Sequence, residues 1–133
     1  MNKNTKIEKT GFILVLLMVL LQGFYGIFAY IDPSAFSVVR GTELFSKLDA
    51  DWVIIYGSRT LFITLILGYL LYCKNYKVLM WGALIGVLMP LTDGYLAYEA
   101  QKPLKVILKH VATLIYLLVT FLILKKVVTQ NPN

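Results

Sequence analysis

The sequence has little cysteine, histidine and charge, and each shortage excludes a class of function. The one cysteine, Cys73, cannot form an internal disulfide, and it excludes the Cys-x-x-Cys chemistry of membrane thiol oxidoreductases. The one histidine, His110, and the one acid expected near it are too few ligands for a metal centre. No glycine-rich phosphate loop, nucleophile–base arrangement or soluble cofactor motif is present. We therefore expect no metal and no cofactor, and no residue is identified as catalytic.

Charged residues make up 15% of the chain and hydrophobic residues 59%. A soluble domain has about 25% charged and about 45–50% apolar residues, so this composition is typical of a membrane protein. A membrane-spanning helix needs about 20 mostly apolar residues. Four segments meet that length, and they lie at about 11–31, 52–72, 78–98 and 104–124. The 133 residues predict one all-α domain, a bundle of four transmembrane helices.

A more polar stretch, residues 32–51, separates the first two spans. Asp32 followed by Pro33 is typical of a helix start, because Asp caps well and Pro is tolerated in the first turn. The rest of the stretch mixes apolar and charged residues and is too polar to span. It predicts one or two short helices at the membrane interface, which would cover that end of the bundle or only connect the spans.

The formal net charge is +6, but it does not indicate nucleic-acid binding. The lysines lie in short runs beside apolar segments and form no basic face with interleaved aromatics, so the expected partner is the lipid bilayer. Counting Lys and Arg beside the spans gives seven on the side of the termini and five on the other. This count predicts a multi-pass cell-membrane protein with both termini cytoplasmic. The seven are Lys3, Lys6, Lys9, Lys74, Lys77, Lys125 and Lys126.

The third span, VLMWGALIGVLMPLTDGYLAY, carries one acid, Asp93. Pro90 should bend this helix about one turn before Asp93, because proline removes a backbone hydrogen bond. Gly82 and Gly86 have the spacing of a close-packing face, which would contact a neighbouring helix or form a homodimer.

Three polar residues on three spans lie at similar depth from the same membrane face. At about 1.5 Å per residue, Arg59 lies about 10 Å inside its span, Asp93 about 8 Å and His110 about 9 Å. A lone charge near a helix centre costs about 2.5–3.5 kcal/mol, and somewhat less off centre, so Arg59 and Asp93 are expected to pair, with His110 as a neutral or switchable donor beside them.

Four further residues are candidates for completing this polar site: Tyr56, Tyr95, Thr113 and Gln22. Three interpretations remain open. The site binds a small lipophilic molecule such as a quinone or lipid; or the Arg59–Asp93 pair only clasps two helices in a structural or assembly protein; or the residues form part of a transporter or proton path.

Three motifs carry a resemblance to a known family: Tyr56-Gly57-Ser58-Arg59, Leu91-Thr92-Asp93-Gly94 and Lys109-His110. Their order resembles a family of small bacterial four-helix membrane proteins of unknown function, loosely grouped with DoxX-like proteins. The likeness covers residues 52–124, with a vaguer match at Asp32-Pro33. Many relatives have an acid directly after the arginine, where this chain has Thr60. The resemblance implies a four-helix fold and leaves Asp93 as the main counter-ion of Arg59.

Overall fold

A computed structural model of the chain describes residues 3–41, 44, 46 and 49–130, with the side chains of residues 3 and 4 left out. In this part of the chain the regular structure is helical and contains no strand. The helices are α1 Lys3–Ile31, α2 Pro33–Arg40, α3 Ala50–Tyr72, α4 Tyr76–Gly86, α5 Leu88–Glu99 and α6 Leu104–Gln130. The all-α prediction of four spanning helices and one short helix is confirmed, because four segments are long and apolar enough to cross a membrane. These segments are Thr5–Ile31, Ala50–Tyr72, Tyr76–Glu99 and Leu104–Gln130.

The first and last helices extend beyond the predicted spans. The prediction began the first span at residue 11, whereas α1 begins at Lys3; it ended the last span at 124, whereas α6 continues to Gln130. The added turns are polar, since the span estimate counted only apolar residues. A helix needs no apolar side chains where it leaves the membrane, because its backbone hydrogen bonds are made within the segment.

The short helix α2 begins and ends as its sequence predicts. The side chain of Asp32 accepts a hydrogen bond from the backbone N–H of Ala35 at 2.9 Å, and Pro33 occupies the first turn. The helix ends at Gly41, whose φ of 91° lies in the left-handed region that glycine adopts without strain. The Gly41 N–H donates to the carbonyl of Ser37 at 3.0 Å. One helix is therefore established between the first two spans.

The third span is interrupted at Val87, three residues before Pro90. Proline has no N–H to donate to the carbonyl four residues earlier, and its ring crowds that carbonyl, which here belongs to Gly86. Pro90 is therefore accommodated in the first turn of a new helix, α5. The third span is thus interrupted, with Val87 keeping right-handed helical φ and ψ, and the break lies six residues before Asp93 and not one turn before it.

The chain divides into two compact units, which are described separately. Unit 2 comprises Leu17–Tyr69 and packs the second half of α1 against α3. A Cβ added at Gly57 would lie 3.0 Å from the Ala29 Cβ and 3.1 Å from the Gly26 carbonyl oxygen, and one added at Gly23 would lie 3.3 Å from the Thr64 methyl. The small residues Gly23, Gly26 and Gly57 therefore let α1 and α3 approach closely.

Unit 1 comprises Met1–Leu16 and Leu70–Asn133, and in it α6 packs against α4 and α5. Leu124 and Val127 are its most deeply buried large side chains. The Tyr116 hydroxyl donates to the Leu14 carbonyl at 2.6 Å and so ties α6 to the start of α1.

Most of the apolar surface of the helices stays exposed. Within the most apolar window of each spanning segment, no more than 22% is buried inside the protein. Large side chains such as Ile31, Leu65 and Leu88 are more than 60% exposed. Water does not tolerate contiguous apolar surface on this scale, whereas lipid chains do. The fold is therefore that of a multi-pass membrane protein.

Candidate functional site

The seven candidate residues divide between the two units. Gln22, Tyr56 and Arg59 belong to unit 2, whereas Asp93, Tyr95, His110 and Thr113 belong to unit 1. The pairing of Arg59 with Asp93 stays a prediction.

In unit 1, Asp93 and His110 flank one close approach between α5 and α6. Gly94 follows Asp93, and a Cβ added at Gly94 would lie 3.3 Å from the His110 Cβ. This separation is tighter than most contacts between side chains, so the absence of a side chain at position 94 is what lets α6 come this near. Asp93 lies six residues before Glu99, the end of α5, and His110 six residues after Leu104, the start of α6. Both are therefore about 9 Å inside their helix ends at 1.5 Å per residue.

His110 is the more enclosed of the two ionisable residues. Its side chain is 8% exposed, whereas Asp93 is half-buried. Both residues are engaged in interactions within the structure. An ionisable group buried inside a membrane-spanning segment is costly and is therefore a candidate for a functional site. The Asp93–Gly94–His110 crossing, named for these three residues, is the part of the predicted site with defined geometry.

Two other candidates in unit 1 make hydrogen bonds within their own helices. The Tyr95 hydroxyl donates to a carboxylate oxygen of Glu99 at 2.6 Å, and its side chain is 58% exposed. The Thr113 hydroxyl donates to the carbonyl of Lys109 at 3.0 Å and is partly buried. Their lone pairs can still accept hydrogen bonds from a ligand, so their proposed part in the site stays a prediction.

In unit 2, Arg59 is exposed and the next residue, Thr60, is buried. The Thr60 carbonyl accepts a hydrogen bond from the Thr64 hydroxyl at 2.8 Å. Gln22 is half-buried, and its amide donates to the thioether sulfur of Met18 at 3.7 Å in the same helix. The role of Gln22 as the floor of the site stays a prediction.

Tyr56 belongs to an aromatic cluster that holds α2 against the rest of unit 2. Its ring stacks on Phe36 with centroids 5.6 Å apart, and the Arg40 guanidinium lies 3.9 Å from the Tyr56 ring centroid. Phe36 also meets Tyr25 and Phe28 edge-on, at 5.8 and 5.7 Å. Phe36 is 2% exposed, so α2 is anchored by its apolar side. The Tyr56 ring serves this packing.

Sequence reasoning missed Arg40, Phe36 and Tyr116 as contact residues. Phe36 and Arg40 are four residues apart, a spacing that places both side chains on one face of α2, and this pattern was available in the sequence. The bond from Tyr116 to the Leu14 carbonyl left no such signal, because a backbone acceptor has no side-chain signature.

Among the described residues, no group of three or more His, Cys, Asp or Glu side chains is placed to hold a metal ion. A family described as Domain of unknown function (DUF4267) matches residues 14–124, and the chain belongs to this family. No curated protein matches the chain. No solved structure matches it either.

Proposed function

Because membership of a family of unknown function brings no activity with it, we propose a function from the geometry: the protein binds a small lipophilic molecule through the Asp93–Gly94–His110 crossing. The observation that carries the proposal is the burial of His110 against Gly94, one residue from Asp93, inside two membrane-spanning segments. A quinone or lipid would present a carbonyl, hydroxyl or ester oxygen to this pair.

The chemistry of the pair suits a ligand with one polar end. Neutral imidazole has one donor and one acceptor nitrogen, and a carboxylate offers acceptors only. Together they can bind a ligand hydroxyl group, which accepts a hydrogen bond from the imidazole and donates one to the carboxylate. The exposed apolar side chains of α5, including Leu91 and Leu96, suit the apolar remainder of such a molecule.

Arg59 completes the proposed site as a third polar group. Its support is the depth estimate from the sequence. A guanidinium has five N–H donors, which would balance the Asp93 carboxylate or bind a ligand oxygen.

The rival function is a structural or assembly protein in which Arg59 and Asp93 only clasp helices. It is favoured by the fact that Asp93 and His110 are already engaged in interactions. The charge swap Arg59→Asp with Asp93→Arg separates the two accounts. A clasp predicts that the double variant regains both stability and cellular function. Stability without function would support the ligand site.

The ligand test uses full-length protein purified in a neutral detergent, with co-purifying small molecules measured by mass spectrometry. The wild type should retain one lipophilic species in stoichiometric amount. Asp93→Asn and His110→Gln should lose it while keeping wild-type helicity and thermal unfolding. Lys105→Gln, an exposed position on α6, is the matched control and should retain it. An empty wild type, or equal retention in all four proteins, would refute the proposal.

A transporter or proton path is a third interpretation, supported by the same intramembrane ionisable residues. Flux assays on protein in liposomes, run at two pH values, would test it. Absence of pH-dependent flux in the wild type would remove it.

We also propose that the protein lies in the cell membrane as a four-helix bundle with both termini cytoplasmic. The exposed Cys73 lies between α3 and α4, on the same side as the termini in this topology. An impermeant maleimide should label Cys73 in inside-out vesicles and not in intact cells. The control, Cys73→Ser with Ser34→Cys, should give the reverse. Labelling of Cys73 from outside would contradict the orientation.

Two finer proposals concern relatives and assembly. The association with DoxX-like proteins rests on the motifs around Arg59, Asp93 and His110. A homodimer would use the exposed Gly82, since Gly86 faces α6 of the same chain, where an added Cβ would lie 3.8 Å from Leu117. Cross-linking in native membranes, compared between wild type and Gly82→Leu, tests the dimer.

A further inference from the structure

Six exposed lysines lie on three separate chain segments of unit 1: Lys6 and Lys9 near the start of α1, Lys74 and Lys77 around the turn into α4, and Lys125 and Lys126 near the end of α6. We propose that these segments form one binding surface, the lysine end, for the head groups of anionic phospholipids. This surface is separate from the Asp93–Gly94–His110 crossing.

The start of α1 and the start of α4 are joined by a hydrogen bond. The Tyr76 hydroxyl donates to a carboxylate oxygen of Glu8 at 3.3 Å. Lys9 is next to Glu8, and Lys77 is next to Tyr76. This bond therefore brings together two of the three lysine pairs.

The start of α1 and the end of α6 are joined by packing. Gly11 is buried, and a Cβ added there would lie 3.1 Å from Leu124 and 3.6 Å from Val127. Three residues farther along α1, the Leu14 carbonyl accepts the hydrogen bond from Tyr116. From the first contact to the second, the position advances from Gly11 to Leu14 along α1 and goes back from Leu124 to Tyr116 along α6. The two helices are therefore antiparallel. The residues between Leu124 and Val127 are the third lysine pair.

The charge of the lysine end is strongly unbalanced. Unit 1 contains three acids, Glu8, Asp93 and Glu99. Asp93 lies 17 residues beyond Tyr76 along α4 and α5, or about 25 Å at 1.5 Å per residue, and Glu99 is farther still. At physiological salt a charge is largely screened beyond about 8 Å. Glu8 is therefore the one acid of unit 1 placed to offset six lysines, which leaves a formal charge of 6 − 1 = +5.

The position of the lysines selects the partner. Each pair lies at the end of a membrane-spanning segment, where exposed apolar side chains such as Tyr72 and Val78 adjoin it. Lysine ammonium groups at this level meet the phosphates of the lipid head groups, and their attraction to an anionic leaflet falls off within a Debye length. Nucleic acid would have to approach the same groups across the membrane surface, where anionic head groups compete for the lysines.

The test measures lipid retention by native mass spectrometry on full-length protein in neutral detergent, with cardiolipin or phosphatidylcholine added. The wild type should retain cardiolipin and not phosphatidylcholine. Each double variant, Lys74→Gln with Lys77→Gln or Lys125→Gln with Lys126→Gln, should weaken cardiolipin retention by about tenfold or more. Glu8→Gln should strengthen it, because the substitution removes the opposing charge and keeps an acceptor for Tyr76.

The control is Lys102→Gln with Lys105→Gln, which removes the same charge at the other end of α6. Its cardiolipin retention should match the wild type, and all variants should keep wild-type thermal unfolding in neutral detergent. The proposal fails if the control loses as much cardiolipin as the other pairs, if phosphatidylcholine is retained equally, or if a DNA duplex displaces the lipid at equal phosphate concentration. Loss of cardiolipin without loss of the lipophilic molecule from the Asp93–Gly94–His110 crossing would separate the two sites.

Discussion

Replacing Gly57 by alanine tests whether the packing of α1 against α3 depends on a bare backbone. The added methyl would lie 3.0 Å from the Ala29 Cβ, 3.1 Å from the Gly26 carbonyl oxygen and 3.3 Å from the Tyr30 ring. Two of these three neighbours are a backbone atom and a Cβ, which cannot rotate away. Relief therefore requires the two helices to separate.

Two opposing effects determine how much Gly57→Ala changes the free energy of unfolding. Alanine is favoured over glycine in a helix interior by about 0.8–1.0 kcal/mol. Overpacking of a close contact costs about 1–3 kcal/mol. Gly68→Ala on the same helix provides the comparison, because its Cβ would meet only Val19, at an ordinary 3.7 Å. The helix-propensity term is common to both variants and cancels, so Gly57→Ala should be less stable than Gly68→Ala by about 1–3 kcal/mol.

The assay is reversible unfolding of the purified protein in mixed micelles of neutral detergent and increasing dodecyl sulfate, followed by circular dichroism. Gly68→Ala should unfold at or above the wild-type midpoint and Gly57→Ala below it. Equal midpoints for the two variants would refute the steric reasoning. A Gly57→Ala protein more stable than the wild type would show that α1 and α3 can accommodate the added methyl group despite these short distances.

Two further substitutions test other contacts by the same unfolding assay. Tyr116→Phe removes the hydroxyl that donates to the Leu14 carbonyl and should lower the free energy of unfolding by about 0.6–1.7 kcal/mol, the range for interhelical hydrogen bonds in membranes. The control Tyr98→Phe, at an exposed position, should leave the free energy of unfolding unchanged. Equal effects of the two substitutions would contradict the hydrogen bond. Phe36→Ala empties the centre of the aromatic cluster and should cost about 3–5 kcal/mol, against less than about 0.5 kcal/mol for Val38→Ala, which is 64% exposed. A Phe36→Ala protein as stable as Val38→Ala would show that α2 is not anchored by its aromatic side chain.

The number and class of the helices could be predicted because lipid imposes simple demands. A spanning segment must satisfy its own backbone hydrogen bonds and stay apolar for about 20 residues, and both requirements are local. The start of α2 at Asp32-Pro33 is local in the same sense, since the capping side chain bonds a residue three positions away. Pro90 predicted an interruption of the third span because the effect of proline on helix hydrogen bonds is also local. Only the structure showed that the interruption lies at Val87.

The candidate site was predictable in part. His110 and Asp93 stood out in the sequence because ionisable side chains in apolar segments are rare. The depth estimates put both residues at a similar distance from the same membrane face, but this distance does not determine which face of a helix a residue occupies. The structure supplied the missing contact, the approach of His110 to Gly94, and it assigned the hydroxyl of Tyr95 to Glu99.

The sequence alone therefore determined that this is an all-α chain with four membrane-spanning helices, a capped short helix after the first span and two ionisable residues at one depth. Only the tertiary structure decided which helix faces meet. It paired Gly57 with the backbone of α1, placed Tyr56 against Phe36 and Arg40 of α2, and joined the three lysine pairs through Glu8, Tyr76 and Gly11. The reason is physical. Helix formation follows from hydrogen bonds between residues four apart, whereas these contacts join residues from 16 to more than 100 positions apart. Apolar periodicity in a lipid-facing helix does not show which side turns inward.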